Sequence, residues 1–240
     1  MLEKEQIELI EKLTGNKLTK LAQQQLNDFI QIFKIYNSHT NLVSKNDEKN
    51  LFEKHIYDSL NLCLFLEKYK IKQNAKILDI GTGGGFPSIP ISILYPDIQV
   101  YPLDSVAKKI GFVELVQKEL RLDNLHPICK RVEEISDDYR EYFDVVTSRA
   151  VASLNILLEY SIPYVKINGY FVAFKSKGAD EELVCAQNAL SVLKCKTADR
   201  IQYNLPSLEM YTRELVVIEK QESTSRIYPR KSGQAKKNPL

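Results

Sequence analysis

The sequence predicts an α/β protein: a doubly wound, mostly parallel sheet of seven strands preceded by an N-terminal helical extension. Three observations carry that expectation. From residue 76 onward, short apolar runs alternate with helical stretches, the pattern of βαβ units on a parallel sheet. One such run, Lys76-Ile77-Leu78-Asp79-Ile80, opens directly into a glycine-rich turn and then a helix start. Before residue 73 the apolar positions recur at helical spacing, as in Leu18, Leu21, Leu26, Phe29, Ile30 and Phe33.

Taken in order, helices are expected through residues 1–72, with Asn46–Asn50 as a polar break and a helix from Leu51 to Tyr69. Strands are expected at 76–80, 99–104, 126–130, 143–148, 169–175, 197–203 and 213–219. Helices fall near 88–94, 106–120, 153–165 and 180–194. No helix separates the last two strands, which fits an antiparallel strand at the sheet's edge. The chain divides into a helical extension (1–72), a core domain (73–222) and a basic tail (223–240).

Composition narrows the function. With 44% hydrophobic and 27% charged residues the chain is an ordinary globular protein with ample core. It has neither a long apolar run nor a secretory leader, so a cytoplasmic protein without a membrane partner is expected. Cys63, Cys129, Cys185 and Cys195 form no C-x-x-C and read as buried free thiols; His39, His55 and His126 lack metal-ligand spacing. No metal is expected. Residues 223–240 carry five basic side chains and no acid, leaving the rest of the chain at a formal −3. Such a tail suits a polyanionic partner or a solvated end.

The turn Asp79-Ile80-Gly81-Thr82-Gly83-Gly84-Gly85-Phe86 carries the chemistry. A dinucleotide fingerprint needs a third glycine at position 86, where Phe86 stands. A P-loop fails at the same place and lacks its lysine. The remaining pattern, D-x-G-x-G-x-G, resembles motif I of Rossmann-like class I methyltransferases dependent on S-adenosylmethionine (AdoMet). A second strand ends in Asp104, 19 residues after Gly85, about where α/β nucleotide sites place a ribose-binding carboxylate. Asp104 also suits the start of the following helix, and the two roles are compatible.

In this fold the end of the fourth strand faces the reacting methyl. Here it reads Ser148-Arg149-Ala150, not the [DNS]-P-P-[YFW] of amino-methylating enzymes. A cytosine-C5 enzyme needs a cysteine nucleophile, generally after proline, and Cys129 follows Ile128.

With these segments the chain resembles the RsmG (GidB) family, guanine-N7 methyltransferases of bacterial small-subunit (16S) ribosomal RNA. The matching stretches include Asn41–Ser44, His55–Leu60, Asp79–Pro87, Leu103-Asp104-Ser105 with Lys108-Lys109, Arg131–Glu134, Ser148–Ala152 and the tail Tyr228–Leu240. Departures are Ser88 after the Phe-Pro pair, Pro102 within the second strand, and the lengthened Lys175-Ser176-Lys177-Gly178.

The resemblance implies AdoMet as cofactor, held by Asp79, Gly81, Gly83, Gly85, Phe86, Asp104, Ser105, Val132, Glu133 and Arg149. It implies a small-subunit ribosomal RNA or subunit partner, met by Lys108, Lys109, Arg226, Tyr228, Arg230, Lys231, Lys236 and Lys237. Phe86 either lies against the cofactor or packs the loop. His55, Asp58 and Ser59, at i, i+3 and i+4, either face the cofactor mouth or tie the N-terminal helices to the sheet. Guanine N7 carries a lone pair and no proton, so no general base is expected, and Arg149 takes a positioning role. Nothing demands more than a monomer. The competing expectations are a methyltransferase of small molecules or proteins, and an AdoMet-sensing ribosome-assembly factor without catalysis.

Overall fold

The computed structural model describes every residue except Ala150, Lys177 and 207–212. Ala150 of the Ser-Arg-Ala segment and Lys177 of the lengthened loop therefore lie outside the described residues. The N-terminal layer comprises α1 (Lys4–Thr14), α2 (Lys20–Thr40), α3 (Lys45–Lys49), a π-helical turn (Phe52–Tyr57), α4 (Asp58–Leu60) and α5 (Leu62–Lys68). The sheet and its helices follow as β1 (Lys76–Ile80), α6 (Ser88–Leu94), β2 (Gln99–Asp104), α7 (Ala107–Leu120), β3 (Ile128–Cys129), β4 (Phe143–Arg149) and α8 (Leu154–Ser161). The chain continues through β5 (Val165–Lys175), α9 (Ala179–Cys185), α10 (Gln187–Val192), β6 (Cys195–Tyr203), β7 (Arg213–Lys220) and α11 (Gln234–Lys237).

The strands lie in the order β3-β2-β1-β4-β5-β7-β6, parallel from β3 to β5. The antiparallel strand is not the edge one. β7 runs antiparallel between β5 and β6, so the hairpin folds back and β6 takes the edge.

Four local departures from the sequence pattern have plain causes. The expected polar break at 46–50 is a short helix, because the Ser44 hydroxyl accepts the Asp47 N–H at 3.1 Å and caps it. β3 shrinks to two residues beside Pro102. Val100 exchanges bonds with Asn124 and His126, and two residues on, Pro102 has no N–H to continue that ladder. α8 stops at Ser161 and turns 3-10 through Ile162-Pro163-Tyr164, since Pro163 cannot donate into an α-helix. Cys129 and Cys185 are exposed, and only Cys63 and Cys195 are buried.

Each sheet face has its own core. Ile77, Val145, Val172 and Val217 face the N-terminal layer with α6 and α7, while Leu78, Val146, Phe171 and Ile218 face α8 and α10. The alternation along each strand sets this division. Phe29 and Phe33 of α2 stand with ring centroids 5.5 Å from Phe86, so the helical layer packs on the glycine loop itself. Phe33→Ala is expected to cost about 3–5 kcal/mol of stability in urea unfolding. A loss below about 1 kcal/mol would show that α2 is not part of the main core.

Candidate functional site: a glycine-loop cleft at the carboxyl ends of the strands

The order of strands reverses between β1 and β4, and a crevice opens there at their carboxyl ends. A cleft of about 350 Å³ occupies it. Its lining includes Gly81, Asp104, Ser105, Val132 and Glu133, all anticipated for the cofactor, together with Lys109 and Lys236. Val106, Lys130, Arg131, Val151, Tyr160 and Gly233 also line it and were not anticipated as site residues. Val151 and Tyr160 follow β4; Val151 falls within the matching Ser148–Ala152 stretch, while nothing local in the sequence marks Tyr160.

The loop glycines answer to specific neighbours. Gly81 has φ +78°, and a Cβ there would stand 2.4 Å from a methyl of Val151. At Gly85, with φ +85°, a Cβ would stand 2.2 Å from the Ile89 side chain. Gly83 also has positive φ, yet only the Gly81 carbonyl lies near its would-be Cβ, leaving that side of the loop open. The Gly83 N–H donates to Asp104 at 3.2 Å, tying the loop to the end of β2. Asp104 further accepts from the Val106 N–H at 3.0 Å and the Lys109 ammonium at 3.3 Å. Asp104 thus lines the cleft and braces the turn before α7, while the N-cap position itself falls to Val106.

Glu133 sits in a 3-10 turn and accepts the Gly233 N–H at 3.3 Å. Open backbone at Gly83, carboxylates at Asp104 and Glu133, and cations at the rim fit a ligand with hydroxyls, an amino-bearing base and a carboxylate. AdoMet has these groups. Among the described residues no three His, Cys, Asp or Glu side chains are grouped to hold a metal.

Other anticipated residues stand behind or beside the cleft. Asp79 is buried beneath the loop, where it accepts the Ser88 hydroxyl at 2.7 Å and burial raises its carboxyl to about 7. Its second oxygen has no hydrogen-bond partner. Phe86 is 3% exposed and packs among Phe29, Phe33 and His55. Its ring does not line the cleft. Arg149, expected to hold the cofactor, lies over the Phe86 ring at 5.5 Å. It donates to Asp58 at 2.9 Å, to the Lys54 carbonyl at 2.9 Å, and meets His55 Nδ1 at 3.0 Å.

Asp58 is wholly buried and also accepts the Tyr203 hydroxyl at 2.8 Å. The Ser59 hydroxyl donates to the His55 carbonyl. The stripe His55, Asp58 and Ser59 therefore ties the helical layer to β4 and β6. Burial, then the Arg149 charge, lowers His55 to about 4.

Of the basic residues, Lys108 donates to the Thr40 carbonyl at 2.8 Å from an exposed position. Arg226, Lys231, Lys236 and Lys237 are exposed. The Tyr228 ring packs against the α8 side of the core, and its carbonyl accepts from Arg140 at 2.6 Å. Arg230, expected on RNA, is instead held by the wholly buried Glu159 through contacts of 2.5–3.1 Å. A buried carboxylate needs such a partner, so this charge is neutralised inside the fold. A further groove of about 380 Å³, between the α1–α2 elbow and Arg121–Asn124, lies at the opposite end of the strands.

Sheet order, glycine loop and the acid ending β2 define a class I AdoMet-dependent methyltransferase. The sequence model of the family described as rRNA small subunit methyltransferase G (GidB) matches residues 22–215. Curated relatives called ribosomal RNA small subunit methyltransferase G include one from Desulfitobacterium hafniense, 41% identical over 93% of this chain and 96% of its own. Another, from Streptococcus gordonii, is 39% identical over 94% of each chain. The chain belongs to this family. Among solved structures, a 16S rRNA (adenine(1408)-N(1))-methyltransferase from Catenulisporales acidiphilia superposes with TM-score 0.53. It is 13% identical, covering 67% of this chain and 92% of that one, a likeness of fold.

Half-buried His55 and buried Asp79, both near Arg149, have pKa values shifted in opposite directions. His55, lowered to about 4, stabilises the fold near neutrality and loses that contribution as pH falls from about 6.5 towards 4. Asp79, raised to about 7, destabilises the fold increasingly as pH rises from about 4 to 7. Each effect is at most about 3–4 kcal/mol, and they offset one another. In urea unfolding across pH 4–7, His55→Gln is expected to leave stability falling with pH, and Asp79→Asn to leave it rising. Two variants with the wild-type profile would remove both assignments.

Proposed function

We propose that this protein transfers a methyl group from AdoMet to N7 of a guanine in small-subunit (16S) ribosomal RNA, as a metal-independent monomer in the cytoplasm. The observation that carries the reading is the cleft between Gly81, which opens the glycine loop, and Asp104, one strand away from Arg149. Family membership supplies the acceptor. No helix among the described residues is long and apolar enough to cross a membrane.

Bound in the cleft, AdoMet supplies an electrophilic methyl on a sulfonium. The protein's part is placement. Gly81 and Gly83 would offer close backbone, Asp104 would accept from ribose hydroxyls, and Val132 and Glu133 would flank the base. The nucleophilic nitrogen has no proton to lose, so alignment and exclusion of water are what remain to be supplied. Such placement is worth up to ~7–11 kcal/mol of barrier. Arg149, braced by Asp58, His55 and the Lys54 carbonyl, fixes the wall at the end of β4. The exposed Lys108, Lys231, Lys236 and Lys237 draw in the phosphate backbone.

Labelled methyl is expected to pass from AdoMet to small ribosomal subunits or their RNA and to appear as N7-methylguanine. Transfer to none of RNA, subunit or protein would leave the non-catalytic, AdoMet-sensing factor as the better account. Arg149→Lys keeps the charge but loses the planar fork, and is expected to lower kcat/KM by roughly 10- to 100-fold. Normal turnover with unchanged AdoMet affinity would discard the positioning role. Replacing Lys231 and Lys237 by alanine is expected to flatten the dependence of log RNA affinity on log salt, by roughly 0.7 for each phosphate no longer neutralised. An unaltered slope in filter binding would take those lysines off the RNA.

A further inference from the structure

The C-terminal tail does not hang free. Arg140 donates to the carbonyls of Thr224, Ser225 and Tyr228, at 3.0, 2.9 and 2.6 Å. Beyond that point Arg230 meets Glu159, whose carboxylate accepts the Arg230 backbone N–H at 2.9 Å as well as the guanidinium. Glu159 is 0% exposed and is the one charged residue in the otherwise uncharged α8. A charge buried there without its partner would be strongly destabilising. The clasp fixes where the next residues go. Gly233 turns with φ +80° and gives its N–H to Glu133, Ala235 is 1% exposed against the α8 face, and Lys236 returns to the cleft rim. The side of the cleft nearest Val132 and Glu133 is therefore closed by a segment about 100 residues further along the chain.

We propose that the tail segment Tyr228–Lys237 is a wall of the AdoMet cleft, and that the buried Glu159–Arg230 clasp sets cofactor affinity by holding that wall in place. The proposal deepens the methyltransferase reading and rests on it. Glu159 and Arg230 are positioning residues. Gly233 touches the acid expected at the adenine end, and the exposed Lys236 lines the same cleft. A tail docked only about a tenth of the time would weaken apparent AdoMet affinity about tenfold, since only the docked form is competent.

Equilibrium dialysis with labelled AdoMet, paired with limited trypsin digestion of the full chain, tests this. Glu159→Gln and Arg230→Ala are expected to speed cleavage within residues 226–237 and to weaken AdoMet binding by about tenfold. In the wild-type protein, saturating AdoMet is expected to slow the same cleavages. Lys236→Ala changes an exposed side chain and leaves folding intact. Its expected effect is a smaller loss of affinity, about threefold, at unchanged Tm. Clasp variants with a released tail but wild-type affinity would overturn the proposal. So would a wild-type tail that AdoMet occupies without protecting. If the clasp variants fail to fold, wild-type affinity in Lys236→Ala together with absent protection overturns it. Wild-type protein that binds no AdoMet at all would sink the methyltransferase reading instead.

Discussion

The ion pair between Arg149 and Asp58 joins three parts of the molecule that share no local sequence. Arg149 ends β4, Asp58 follows the π-helical turn, and the Tyr203 hydroxyl of β6 donates to the same carboxylate, with the Arg213 guanidinium 3.6 Å from it. Asp58 is wholly buried, and a buried carboxylate needs donors of this kind around it. Removing one partner of such a pair costs about 3–5 kcal/mol, more than most single contacts in a core. The pair also presses the guanidinium against Phe86, which packs on Phe29 and Phe33 of α2. The far end of the glycine loop is thereby held by the helical layer. That layer is the backing of the site.

The near end of the loop is held by the sheet. Gly81 and Thr82 both donate to the Leu103 carbonyl, and Gly83 donates to Asp104, so the loop follows the end of β2. Val151 closes over Gly81 so tightly that no Cβ fits between them. The loop between β4 and α8 is itself tied down: Lys175 donates to the Ala152 carbonyl at 3.1 Å and to Glu182 at 2.7 Å. Rigid backbone on both sides of a cleft lowers the ordering cost of whatever binds between them.

Much of this was legible in the sequence where the signal was short in range. The alternation of strands and helices, the Asp79–Phe86 turn and the acid at 104 are patterns within about twenty residues, and periodicity or turn chemistry displays them. What was not legible is pairing across long separations. Arg149 finds His55 and Lys54 nearly a hundred positions away, and Arg230 finds Glu159 at a separation of 71. Charge alone made Arg230 look like an RNA contact. The readable hint lay elsewhere: a lone glutamate among the apolar residues of α8 demands a buried cation. Likewise two strands without a helix between them reveal a hairpin, but not which member of it reaches the edge.

The Glu159–Arg230 contact also has a consequence in time. Among the described residues, 1–220 contain every strand and all of both cores except Ala235, so the body of the protein has what it needs to collapse while synthesis continues. Arg230 leaves the translating ribosome after every strand has emerged. Until it arrives, Glu159 is an uncompensated acid in an apolar helix, and the cleft lacks its final side. The finished shape therefore waits for Arg230, and a ribosome that stops before it releases a near-complete fold with an unfinished site.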